Sequence, residues 1–249
     1  MTGLGHYLRF EVLRLVRNVR YVGISVGFPV VFYVLFLNNE HPTARIAGTN
    51  WKTYFMVSMA SFAAMVASLN AGGTRLAAER ASGWTRQLRV TPLPAWGYVT
   101  TKIATSMVIA LPVISLVELT GLLLGGVRLG PVTWAVLTVV LWVSALPFAA
   151  LGVLVGFVAS GETAYPLVTA LMFLLSFFGG LFTPVTDLPT VLRHVAAYLP
   201  SYHDASLGWA VVAGRAPGAD HAGVLLGYAV LLGLAVTWRH RVEESRAFA

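Results

Sequence analysis

The chain has 249 residues, of which 57% are hydrophobic and 11% charged, against about 25% charged in a soluble domain. A chain of this size has too little interior to hide so much apolar side chain from water, so soluble enzymes and disordered chains are excluded and a polytopic membrane protein is left. The 17 Lys+Arg outnumber the 10 Asp+Glu, which in a membrane protein records basic loops on one side rather than nucleic-acid binding.

In chain order, residues 4–20 form the first expected element. Leu4, Leu8, Val12, Leu15, Val16 and Val19 share one helical face, and Arg9, Arg14, Arg17 and Arg20 the other. This pattern predicts an amphipathic helix in the membrane interface, its arginines toward lipid headgroups; an ordinary basic flank is the alternative. Six charge-poor stretches follow at 21–37, 54–74, 103–127, 132–160, 163–186 and 222–238. Each is long enough to cross about 30 Å of hydrocarbon as a helix. The fourth is too long for one straight span, and Pro147 and Gly152 predict a kink or break. The first is a retained anchor rather than a cleaved signal, because NNEHPTAR (38–45) offers no small-residue cleavage site.

With the N-terminus inside, twelve basic residues fall on the cytoplasmic side and five (Arg45, Lys52, Arg128, Arg193 and Arg215) outside. That asymmetry predicts both termini and the 75–102 connection in the cytoplasm.

Two connections are informative. RLAAERASGWTRQLRVTPLPAW (75–96) reads as a short helix broken by Gly83 and ended by Pro92 and Pro94, with Glu79, Arg80, Arg86 and Arg89 on its surface. It suits docking on a cytoplasmic partner, or it is a solvated loop that fixes topology. The outward region 179–214 is apolar and punctuated by Pro184, Pro189 and Pro200, which reads as short helices dipping into the outer leaflet. Tyr198, His203 and Asp204 lie there and read as surface residues.

Among candidate site residues, Glu118 stands near the middle of the third span, where a carboxylate costs at least about 2.5 kcal/mol unless it is paired, protonated or wetted. It faces either a transport path or a neighbouring span, with Ser115 and Thr120 within helical reach. Glu162, in the SGET turn (160–163), is a turn carboxylate or a second cytoplasmic contact. Four GxxxG pairs (Gly23–Gly27, Gly121–Gly125, Gly152–Gly156 and Gly223–Gly227) fall in expected spans and read as close helix packing. Two catalytic signatures are absent: there is no H-E-x-x-H and no cysteine. Neither lysine follows a glycine, so the phosphate-binding G-K-[ST] loop is missing too.

These stretches together resemble the membrane subunits of type-2 ABC transporter permeases, a family that includes bacterial drug and polysaccharide exporters. ERASGWTRQLRVTPLP (79–94) is similar to the family's cytoplasmic coupling segment, and FFGGLFTPVTDLPTVLRHVAAYLP (177–200) to its outer re-entrant hairpin. The resemblance implies an all-α permease in the bacterial cytoplasmic membrane, with Glu79, Arg80, Gly83 and Arg86 where a nucleotide-binding subunit docks. It implies two separate ATPase subunits, which bind the ATP and magnesium, and a second permease chain, identical or related. This chain itself would hold no cofactor and catalyse nothing. The expected activity is export of a drug, antibiotic or lipid by alternating access, a polysaccharide being the other cargo class. The rival is a stand-alone proton-coupled transporter using Glu118, or a membrane scaffold.

Overall fold

The computed structural model describes residues 19–37, 45–83 and 95–247. The expected interfacial helix lies outside them apart from Val19 and Arg20, as does Arg86. Helices dominate, in the order α1 (Val19–Phe36), α2 (Trp51–Ala81), α3 (Ala95–Leu123), α4 (Pro131–Ser144) and α5 (Leu146–Val158). There follow α6 (Ala164–Phe178), a 3-10 turn (Val185–Asp187), α7 (Thr190–Ala196), α8 (Pro200–Val212) and α9 (Ala219–Ala247). No strand forms among the described residues beyond a single bridge between Ile46 and Thr49.

Four helical stretches are long and apolar enough to cross a membrane: Trp51–Ala81, Gly97–Leu123, Pro131–Val158 and Ala219–Val242. Gly27–Phe36 and Ala164–Phe178 are apolar but shorter. The long fourth stretch breaks at Ala145, which ends α4 and begins α5. Pro147 in the first turn of α5 lacks the N–H that a continuous helix would need there, so the break falls just before it.

Several boundaries differ from the sequence reading. RLAAER is not a separate helix but the last turns of α2, which runs unbroken to Ala81 and stops where Gly83 takes a positive φ of 76°. The third and fifth spans end early, at Leu123 and Phe178, in each case just before a glycine turn, whereas α9 continues to Ala247.

Helix α2 is the centre of the molecule. In its most apolar stretch 94% of the residues are buried, against 11% in α9. Small residues let its neighbours approach closely. A Cβ added to Gly152 of α5 would sit 2.8 Å from the Leu69 carbonyl oxygen, and one added to Gly156 would sit 2.7 Å from that of Gly72. Gly72 in turn faces the Val153 amide nitrogen. The two backbones therefore touch, and the Gly152–Gly156 pair packs backbone against backbone. Gly121 and Gly125 accommodate Met56 and Tyr33, while Gly223 and Gly227 have open space beside them.

The prolines of 179–214 organise α7 and α8. Pro184 and Pro189 precede the 3-10 turn and α7, and Pro200 opens α8. Helix α8 is packed into the bundle: the Trp209 indole donates to the Tyr54 carbonyl (3.2 Å), and the Ser201 hydroxyl to that of Leu175 (2.6 Å). At this end α1 joins α2 through the Trp51 indole, which donates to the Phe36 carbonyl at 2.9 Å.

Candidate functional site

The end of α2 that leads into 84–94 carries a cluster of charged residues, Arg75, Glu79 and Arg80, met by Lys102 of α3. Glu79 is not on the surface, as the sequence predicts, but 5% exposed. Its Oε2 accepts from the Lys102 ammonium at 2.6 Å, and its Oε1 from the Arg75 Nε at 3.2 Å. Lys102, near the start of α3, is 2% exposed, with its ammonium 5.4 Å from the centre of the Tyr98 ring. A buried ammonium next to a buried carboxylate offsets the cost of desolvating both, and both carboxylate oxygens are engaged within the chain.

Arg80 turns to α5. Its Nη1 donates to the Gly156 carbonyl at 2.8 Å and lies 3.4 Å from that of Ala159. The last carbonyls of a helix lack intrahelical partners and carry the negative end of its dipole, so a guanidinium there caps α5. The same guanidinium lies over Phe157, 5.8 Å from the ring centre. Gly83 ends α2 with nothing near its open side. Glu162 is exposed in the turn before α6, where Ser160 and Thr163 exchange backbone-to-hydroxyl hydrogen bonds. Gly161 of that turn approaches Ala81, so Glu162 shares the end of the bundle where α2 stops.

Glu118 is 6% exposed. The Thr138 hydroxyl of α4 donates to its Oε2 at 2.6 Å, while Oε1 has no partner among the described residues. Ser115 and Thr120 bond instead to carbonyls of their own helix, Leu111 and Leu116. A small cavity of about 200 Å³, lined by Ser115, Leu119, Leu122 and Trp134, opens beside the carboxyl.

At the opposite end, two residues expected on the surface are inside. Asp204 is 1% exposed and accepts from the Ser144 hydroxyl, which joins α8 to α4. His203 is 7% exposed, its Nε2 2.9 Å from the Ala197 carbonyl and its Nδ1 2.7 Å from Nδ1 of His221 in α9. Nearby, the Tyr228 hydroxyl donates to the Tyr198 carbonyl at 2.7 Å. An apolar cleft of about 430 Å³ lies between the α4–α5 break, α8 and α9, lined by Val139, Val143, Leu146, Leu207, Leu225 and Leu226.

Sequence reasoning treats Lys102 as one more loop cation. Its available signal is position: Lys102 and Glu79 flank one connection with opposite charge, each at the mouth of an apolar helix. Thr138 and Asp204 carry no comparable signal, because their partners, Glu118 and Ser144, lie on other helices and no charge of opposite sign marks the pairing.

Comparison with known proteins agrees with this architecture. Residues 36–238 match the family described as ABC-2 family transporter protein. A protein of Bacillus subtilis (strain 168), named as a transport permease, YvfS, is 31% identical over 238 residues, spanning 94% of this chain and 96% of its own length. An all-helical bundle with membrane-length helices, matched to the family over most of its length, makes this chain a member of the ABC-2 transporter family and a membrane permease.

Proposed function

We propose that the chain forms the transmembrane path of an ATP-driven exporter, pairing with a second permease chain and carrying two separate ATPase subunits. The observation that carries this reading is the course of α2. A helix of 31 residues, about 45 Å long, runs through the middle of the bundle and leads directly into 84–94. A rod buried on all sides moves only with its neighbours, so displacement of the segment at its end reaches α1, α3, α5, α6 and α8. The ATPase docks on 84–94, the stretch that includes Arg86, with Gly83 and Glu162 at the end of the bundle where α2 stops. That end is cytoplasmic by the basic-residue asymmetry, and α7 and α8 face outward.

A hydrophobic or amphipathic cargo fits the apolar cleft between α4, α8 and α9, which has room for a small lipophilic molecule or an acyl chain. Alternation between inward- and outward-open states then follows from ATP-driven approach of the two ATPases, which favours one packing of the helices over the other.

The test is purification of the tagged chain in mild detergent with identification of what accompanies it. An ATP-hydrolysing subunit should copurify with the wild type and be lost when 84–94 is replaced by a Gly/Ser linker of equal length. A chain that purifies without an ATPase, yet drives proton-dependent transport in vesicles that Glu118→Gln abolishes, would instead establish the stand-alone transporter. The unpartnered oxygen of Glu118 is the feature that favours that second reading.

A further inference from the structure

The Glu79–Lys102 pair closes a loop. Glu79 lies in the last turns of α2 and Lys102 near the start of α3, so the connection they bracket is the one that carries 84–94. We infer that these two side chains are positioning residues: they brace the two ends of the coupling segment together, so that α2 and α3 receive its movement as one body. The inference rests on the function proposed above and adds how force enters the spans.

Three observations support it. The bond is short, 2.6 Å, and both partners are buried, so water neither screens it nor competes for it. Apolar side chains of similar volume stabilise such a site at least as well as an ion pair does, so packing alone leaves the charges unexplained. The third observation is the neighbourhood. Arg75 takes the other Glu79 oxygen, and Arg80, one residue on, binds the end of α5. The base of the segment is thereby tied to α2, α3 and α5 within one helical turn. Without the ammonium–carboxylate link, α3 could tilt away from α2 when the segment is pulled, and the displacement would be absorbed in the connection.

The chain has no cysteine, so introduced thiols report without background. Spin labels at Ser82→Cys and Thr100→Cys, both on exposed positions, measure the distance across the base of the segment. A polarity-sensitive fluorophore at Leu226→Cys, on the wall of the apolar cleft, reports movement of the spans when ATP is added. The informative variant is E79Q/K102M, which removes both charges of the buried pair together and retains a carbonyl to accept from Arg75, and so keeps the fold. K102R, which preserves the charge, serves as the rescue.

In the wild type and K102R the spin-label distances should form one narrow distribution, and ATP should change the fluorescence. In E79Q/K102M the distribution should broaden to longer distances. The copurified ATPase should remain bound and still hydrolyse ATP, while the fluorescence change shrinks by about five-fold or more. An unaltered distance distribution, or a full ATP-dependent change in E79Q/K102M, would overturn the brace. Absence of any ATPase from the wild-type preparation would defeat the proposed function instead, and the spin-label distances alone would then decide whether the pair braces the connection.

Discussion

His203 and His221 meet Nδ1 to Nδ1 at 2.7 Å, and this hydrogen bond fastens α8 to α9. The Ala197 carbonyl can only accept, so Nε2 of His203 carries the proton and its Nδ1 accepts from His221. A proton added at Nδ1 of His203 would turn it into a donor and oblige His221 to give up its own Nδ1–H. Burial, first, and the neighbouring His221 hold His203 below its usual value of 6.5, against opposing contributions from the Ala197 carbonyl and Asp220. The unfolded chain therefore binds more protons than the folded one in that window. The stability this site contributes is complete above pH 6.5 and is lost as the pH falls through the depressed value. Thermal unfolding in detergent should show a lower midpoint at pH 5 than at pH 8, and His203→Asn, a non-titrating acceptor, should flatten that dependence. An equal pH slope in both proteins would refute the assignment.

The contact between α2 and α5 leaves no room for a methyl group. Gly152→Ala should cost about 1–3 kcal/mol, because the Leu69 backbone cannot yield as a side chain could. Gly227→Ala, in open space on α9, should be neutral or stabilise by up to about 1 kcal/mol through helix propensity. Unfolding midpoints of the two variants measured side by side test the contrast, and equal effects would contradict it.

Glu118 depends on a single hydroxyl from another helix. Thr138→Val should destabilise by about 1–3 kcal/mol, since it leaves a buried carboxyl without its partner. Glu118→Gln keeps an acceptor for Thr138 and should remain within about 1 kcal/mol of the wild type. Chemical or thermal denaturation in detergent would show whether the order is reversed.

Asp204 is enclosed by α8 and α4, so Asp204→Asn should fold while Asp204→Arg should not accumulate in the membrane. The amide keeps an acceptor for Ser144, whereas a guanidinium has neither the space nor a compensating charge there. Membrane-fraction yield of the two variants is the measurement, and comparable yields would place this side chain in solvent.

Much of this architecture is legible in the residues themselves. Pro147 announces the break at Ala145, Gly83 the end of α2, and Pro184, Pro189 and Pro200 the short elements that follow α6. Each acts through its own backbone, so its effect is local and readable. The charged residues were harder. Hydropathy treats Glu79 and Lys102 as solvated ends of apolar runs, and only the juxtaposition of α2 with α3 shows that each is the other's counter-ion. The surface expected for Glu79 failed for that reason. Asp204 and His203 failed likewise, because a proline-rich connection does not reveal that α8 inserts among α2 and α4. Gly72 and Gly73, inside the expected second span, are what allow α5 to lie against α2.

The central position of α2 also has a consequence for biosynthesis. This helix is complete at Ala81, but α5 begins only at Leu146 and α8 ends at Val212. For more than a hundred residues of translation, a helix bearing Ser58, Ser61, Ser68, Asn70 and Thr74 awaits the last of the elements that cover it in the finished fold. Its serines and threonines bridge that interval in part by bonding back to their own helix, as Ser58 does to Tyr54 and Thr74 to Asn70. The cover of α2 is complete only when α8 arrives, so truncation within 200–212 should leave a chain that inserts but remains open to proteolysis along α2.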